Sequence, residues 1–160
     1  DPETAAAAHA AGEGAQVHLA VGGKRTPGHH PYEALFTVEK LAEGPFPATG
    51  PMGKGRMTDL GKMALLRIDG VRVVISSVRV QALDQSYFRQ VGVEPVQQKI
   101  LMLKSSNHYR ADFEPISSVI FQVAAPAAML DDPAQITYTN LRAGVRLGGK
   151  EQAFKPKERK

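Results

Sequence analysis

The densest group of chemically capable side chains lies in residues 104–110, with the sequence Lys-Ser-Ser-Asn-His-Tyr-Arg. This segment follows an apolar run, residues 100–103, which predicts a fully buried strand. It precedes Pro115, which stops a short helix predicted over about 108–113. Backbone N–H groups at a helix start lack internal partners and carry partial positive charge, so they favour a carboxylate, a phosphate or an oxyanion. The pattern therefore indicates an anion-binding turn.

The sequence of this segment supports two interpretations equally. In the first, Lys104, His108 and Arg110 reinforce the positive field of the turn. In the second, Ser105 or Ser106 only caps the helix and the charged side chains face water.

A second hydroxyl pair, Ser76 and Ser77, lies late in another predicted strand and is followed by Arg79. If that strand lies beside residues 100–103, both pairs line one crevice at the carboxyl edge of the sheet, where open α/β sheets bind ligands. The alternative is that the two serines simply alternate between the faces of a strand. Serine beside lysine or histidine also suits nucleophilic catalysis, but no Gly-x-Ser-x-Gly elbow surrounds either pair, which disfavours an independent serine hydrolase.

The N-terminal half of the chain is predicted to hold a helix and an antiparallel sheet. Asp1 caps the helix and Pro2 occupies its first position. Apolar patterning predicts strands over residues 16–21, 32–41, 62–68 and 71–80. Asp69-Gly70 joins the last two strands and is the strongest hairpin signal in the chain.

The C-terminal half predicts a different arrangement. A short helix containing Tyr87 and Phe88, capped by Asp84, leads to a strand over 99–103, and the second short helix leads to a strand over 119–123. Such crossovers are almost always right-handed and make the flanking strands parallel. The predicted fold class is therefore α+β: a single domain with an antiparallel sheet in its N-terminal half and a short parallel β-α-β-α-β portion in its C-terminal half.

Composition excludes several function classes. The chain has 160 residues, 42% of them hydrophobic, which suffices for one ordinary core. It has no cysteine, which excludes disulfides, thiolate zinc sites and cysteine nucleophiles. No apolar run approaches the ~20 residues that span a bilayer, and the start does not resemble a signal peptide. We therefore expect no membrane partner and a cytoplasmic location.

The formal net charge of +4 could suggest a nucleic-acid partner. The excess charge is concentrated in residues 148–160, which predict a basic, poorly ordered tail. Aromatic residues make up 6% of the chain and do not interleave with basic ones in a base-stacking pattern. We therefore expect no nucleic-acid partner.

Several blocks of the sequence carry a resemblance to a known family, namely residues 59–61, 64–67, 73–77, 81–84, 88–95, 104–110 and 113–116. They resemble the C-terminal domain of the microcystinase C (MlrC) family of metallopeptidases. The resemblance runs from residue 1 to about 147 and is most specific in the Lys-Ser-Ser-x-His-aromatic-Arg block. It implies an MlrC-like C-terminal domain over 1–147, without the metal-binding N-terminal domain, followed by the tail at 148–160.

The resemblance implies a zinc-dependent hydrolase, since the family's namesake cleaves linearised microcystin peptides. The zinc ligands of the family belong to the N-terminal domain, so zinc is expected in the full-length protein and none in this chain alone. The implied partners are that N-terminal domain of the same polypeptide and a peptide or small amide substrate, with homo-oligomers left open. Because the chain does not begin with methionine, we expect it to be a fragment or a processed product, inactive by itself.

Within this resemblance, Ser106 and His108 are the candidate catalytic residues. They would donate to the oxygen on which negative charge develops during metal-assisted amide hydrolysis. The candidate substrate-binding residues are Lys104, Ser105, Arg110, Ser76 and Ser77, and no residue is assigned as a metal ligand. Arg110 could instead pair with Asp112 or Glu114. The alternative function is a noncatalytic domain that binds a small anion or a peptide.

Overall fold

The computed structural model describes residues 1–123, 132–133 and 136–147, and the predicted tail at 148–160 lies outside them. The chain divides into two compact units, Asp1–Arg25 with His29–Ile120, and Thr26–Gly28 with Phe121–Lys160. In the second unit, the described residues form turns closed by bonds such as the one from the Ile136 N–H to the Pro133 carbonyl, at 3.2 Å. The helices and strands below all belong to the first unit.

The first unit begins with helix α1, Pro2–Ala11, as the sequence predicts. The Asp1 carboxylate accepts a bond from the Thr4 N–H at 3.1 Å, so Asp1 is the N-cap. The helix ends at Gly12, whose φ of 86° is readily adopted only by glycine.

Six strands follow in the first unit, all of whose residues are described: β1 Gln16–Val21, β2 Tyr32–Ala42, β3 Phe46–Pro47, β4 Met57–Thr58, β5 Met63–Ile68 and β6 Val71–Ser76. Four of them form an antiparallel sheet in the order β1-β2-β5-β6, while β3 and β4 form a separate antiparallel pair. Asp69 adopts a φ of 49° in the tight turn between β5 and β6, which confirms the predicted hairpin. The antiparallel N-terminal sheet is therefore confirmed.

Strand β5 lies in the middle of the apolar packing. Ala64 and Leu66 join a cluster with Ala5 and Ala8 of α1, so this face of the sheet is covered by the helix. Met63 and Leu65 join a second cluster, which also contains Phe46, Leu60, Val91 and Val93. Because neighbouring side chains of a strand point to opposite faces, β5 is buried on both sides.

The C-terminal part of the first unit contains only short elements. These are helix α2 Ser86–Arg89, a 3₁₀ turn Pro95–Gln97, helix α3 Arg110–Phe113 and a 3₁₀ turn Glu114–Ile116. Helix α2 contains the predicted Tyr87 and Phe88, and α3 begins two residues later than the sequence predicts.

The predicted parallel β-α-β-α-β portion is wrong, because both sheets of the described residues are antiparallel and neither 99–103 nor 119–123 forms a strand. Ile100 and Met102, expected to be buried, are 87% and 93% exposed. The physical reason is that a strand requires a hydrogen-bonded neighbour. Residues 99–106 make no backbone–backbone hydrogen bond with any described residue, so they join neither of the sheets that the described residues form.

Candidate functional site

Residues 104–110 form the bends and turn that lead into α3. Lys104, Ser106 and His108 are exposed, and Ser105 and Arg110 are half-buried. The residue before α3 is Tyr109, and no side chain caps the helix. The capping role considered for Ser105 and Ser106 is therefore absent. With four residues, α3 is also too short to supply much helix dipole, so any anion binding here depends on side chains.

Helix α3 fastens this segment to the start of α2. The rings of Phe113 and Phe88 pack edge to face, with centroids 5.8 Å apart. The Asp112 carboxylate accepts from the Gln85 N–H at 2.7 Å, and the Gln85 side-chain amide donates to the Asp112 carbonyl at 2.7 Å. Apolar and polar contacts together hold the base of the segment in one position.

A second carboxylate, that of the buried Asp84, extends this base. Asp84 is 0% exposed and accepts from the N–H groups of Gly50 and Ser86, both at 2.9 Å. Burial by itself would raise the pKa of Asp84, but hydrogen bonds from Ser86, Gly50 and Thr49 outweigh it and hold the pKa below its ordinary value. Asp84 therefore stays ionised and ties the loop at Gly50 to the start of α2.

Gly50 is required by the closeness of the two carboxylates. A Cβ at this position would lie 2.7 Å from Asp112 Oδ2 and 3.0 Å from Asp84 Oδ2. Any other residue would push the loop away from the carboxylates that fix it.

Two hydroxyls of the segment are buried without a hydrogen-bond partner among the described residues. They are Ser105 Oγ and Tyr109 Oη, and Tyr109 as a whole is 8% exposed. Buried polar groups are nearly always paired, because an unpaired one costs about 1–3 kcal/mol. The sequence interpretation missed Tyr109, although the aromatic position next to His108 was the available signal.

His108 is held at one ring nitrogen by Gln81, because His108 Nδ1 contacts Gln81 Oε1. An amide oxygen accepts hydrogen bonds, so this contact is a hydrogen bond in the tautomer that has its proton on Nδ1. In neutral His108, Nε2 is then an acceptor, and it becomes a donor only when the ring is protonated. Gln81 is the second site residue that the sequence interpretation missed.

The two cationic side chains behave differently. Lys104 makes no hydrogen bond or ion pair with the residues that the structure describes. Arg110 lies 3.4 Å from Glu114 and 5.4 Å from the centroid of the Tyr109 ring, which fits the surface pairing considered for it. Lys104 is therefore the cation of the segment that can meet an incoming anion without breaking an existing pair.

The structure does not link Ser76 and Ser77 to this segment. Ser76 Oγ donates to the Val78 carbonyl at 2.9 Å, and Ser77 Oγ donates to the Lys62 carbonyl at 3.0 Å. The expected shared sheet edge is wrong, because residues 100–103 form no strand beside β6. Because each hydroxyl already donates its one proton, a donor role for Ser76 or Ser77 in substrate binding would require these local bonds to break.

No group of three or more histidine, cysteine, aspartate or glutamate side chains that could hold a metal ion occurs among the described residues. Within the same residues, no helix is long and apolar enough to cross a lipid bilayer.

Comparison with known proteins identifies the family of this chain and several similar proteins. Residues 1–140 match the family described as MlrC C-terminus. Microcystinase C from Sphingomonas sp. is 29% identical over 126 residues, which cover 78% of this chain and 24% of that protein. The crystal structure of a "Putative metallopeptidase" from Mesorhizobium sp. BNC1 is similar with a TM-score of 0.67 and 34% identity, over 73% of this chain and 24% of that chain. The chain thus spans about a quarter of the length of either relative.

Proposed function

Because this chain belongs to the MlrC C-terminus family, we propose that it is the C-terminal lobe of a metal-dependent peptidase or amide hydrolase. The proposed metal is zinc, held by a separate N-terminal domain of the same polypeptide, and the proposed substrate is a peptide or small amide. The names of the two relatives support the metallopeptidase class. The observation that carries the proposal for this chain is the cluster of polar side chains at residues 104–110 on an anchored base, in which Lys104, Ser105 and Tyr109 have no polar partner among the described residues.

The proposed task of this lobe is to bind negative charge. When an amide is hydrolysed, the carbonyl oxygen becomes negatively charged, and donors already fixed toward that oxygen stabilise the transition state. The exposed hydroxyl of Ser106 and the ammonium group of Lys104 are suitable donors. They could equally hold the carboxylate of a peptide substrate, since the same donors recognise both anions.

His108 has two possible roles, which differ in whether its Nε2 accepts or donates a hydrogen bond. Neutral His108 presents Nε2 as an acceptor, which suits a general base or an acceptor for a substrate N–H. Protonated His108 presents a donor, which suits the oxyanion. In both cases Gln81 fixes the ring orientation, so Gln81 is a positioning residue.

The contacts behind the segment support the proposal because a donor stabilises a transition state only if it is already in place. Phe113, Asp112 and the buried Asp84 fix the base on which residues 104–110 stand.

The test uses the longer polypeptide that carries this chain, with the variants Ser106→Ala and His108→Ala. We expect kcat for peptide hydrolysis to fall by about 100-fold or more in each, with bound metal and the thermal midpoint unchanged. The matched controls are Ser118→Ala and His18→Ala, which remove exposed side chains of the same types elsewhere in the first unit.

Two outcomes would contradict the proposal. Loss of metal in the Ser106 or His108 variants would assign these residues to the metal site instead. A longer protein that holds metal but hydrolyses no peptide would favour the noncatalytic binding domain.

A further inference from the structure

An exposed apolar segment directly precedes the candidate site. We call residues 100–103, Ile-Leu-Met-Leu, the exposed ribbon. Ile100 is 87% exposed and Met102 is 93% exposed, whereas Leu101 and Leu103 are half-buried. Adjacent large apolar side chains with this exposure are typical of a surface that another protein segment covers.

Within the part of the chain that the structure describes, the ribbon has the properties of a strand without a paired neighbour. Exposure alternates from residue to residue over 100–105, which is the period of an extended backbone with two faces. The backbone groups of residues 99–106 make no hydrogen bond with the backbone of any described residue. Unpaired extended backbone with apolar side chains is a ready template for strand addition.

We propose that the exposed ribbon is a docking strand, which pairs with a strand of the N-terminal domain of the longer polypeptide. This inference rests on the proposed function, in which that domain holds the metal. The length of the relatives supports this occupant, because the matched region makes up 24% of each and leaves a large domain to be packed against it. Since the ribbon runs directly into residues 104–110, a domain paired with it would lie beside the candidate site.

Charge disfavours a second copy of this chain as the occupant. If two ribbons pair antiparallel with full overlap, residue 99 of one lies opposite residue 104 of the other, and both are lysines. Like charges directly opposite each other destabilise a pair of strands. The expected partner strand therefore presents apolar side chains to Ile100 and Met102 and has acidic residues at its ends.

The test measures backbone hydrogen exchange in the 160-residue chain and in the longer polypeptide. We expect amides 99–105 to exchange almost without protection in the chain alone and at least about 100-fold more slowly in the longer protein. The variant Met102→Glu should return these amides to fast exchange in the longer protein. Met57→Glu is the matched control, because Met57 is 64% exposed on β4 outside the ribbon, and this variant should keep the protection.

Two results would overturn the inference. One is equally fast exchange of the ribbon in the longer protein. The other is protection in the chain alone that grows with its concentration, which would make a second copy the occupant. Hydrogen exchange does not depend on turnover, so an inactive longer protein with a protected ribbon would contradict the proposed function alone. An active longer protein with an unprotected ribbon would contradict the docking inference alone.

Discussion

Two apolar runs of four residues, 63–66 in β5 and 100–103 in the exposed ribbon, have similar sequences and opposite environments. The first reads Met-Ala-Leu-Leu and the second Ile-Leu-Met-Leu. Every residue of the first run is at most 4% exposed, whereas Met102 in the second is 93% exposed. An apolar run therefore indicates that burial would be favourable. Whether the run is buried depends on which other parts of the protein pack against it.

The difference follows from the neighbours of each run. Strand β5 pairs with β2 on one side and β6 on the other, and its two faces meet separate apolar clusters. The ribbon has neither a paired strand nor a covered outer face among the described residues. The strand propensity and hydrophobicity of a run depend on its own residues, whereas strand pairing depends on residues elsewhere. The residues of the two runs therefore do not show which run is paired and buried.

The difference in burial between the two runs can be tested directly, because each run contains one methionine. Met63→Ala should lower the free energy of unfolding of the 160-residue chain by about 2–5 kcal/mol, because it leaves a cavity beside a fully packed strand. Met102→Ala should change it by less than about 0.5 kcal/mol, because the side chain already faces water. Urea unfolding followed by circular dichroism measures both values. Equal losses in the two variants would show that the ribbon is buried within this chain.

A smaller effect is expected from the buried carboxylate behind residues 104–110, the segment that follows the ribbon. We expect Asp84→Asn to lower the free energy of unfolding by about 2 kcal/mol at pH 7, because a buried carboxylate that accepts several hydrogen bonds is lost. The pKa of Asp84 is lower in the folded chain than its ordinary value, so its stabilising effect is complete above a pH of about 4. The effect disappears as the pH falls through the lower folded value.

The measurement is urea unfolding of wild type and Asp84→Asn between about pH 2 and 7, and the difference between them should shrink only below about pH 4. Glu43→Gln is the control, because Glu43 is an exposed carboxylate, and its curve should follow wild type. A constant difference across the whole pH range would mean that the charge of Asp84 plays no part.

Local signals predicted the N-terminal half of the fold. The Asp1-Pro2 pair marked the start of α1, and Asp69-Gly70 marked the hairpin between β5 and β6, because both depend on residues adjacent in the sequence. The parallel portion failed because the runs at 99–103 and 119–123 were assigned partners within this chain. The sequence shows that these residues favour a strand, but it does not show whether another strand lies beside them, and neither run is paired with a strand among the described residues.

The candidate site was predicted as a segment rather than as a set of contacts. Residues 104–110 were recognisable because their side chains are polar and follow an apolar run. Gln81 lies 27 positions before His108, and Asp84 acts through the backbone of Gly50, so neither contact has a local signature. The buried hydroxyl of Tyr109 was overlooked because a tyrosine next to a histidine is equally typical of an aromatic side chain that only packs against other residues.

The most direct test of the central claim is the position of a hydrolysis product in a crystal structure of the longer polypeptide. We expect a carboxylate or amide oxygen of the product to lie within about 3 Å of Ser106 Oγ, Lys104 Nζ or the His108 ring, beside a bound metal. A product bound at the metal with no atom in contact with residues 104–110 would contradict it.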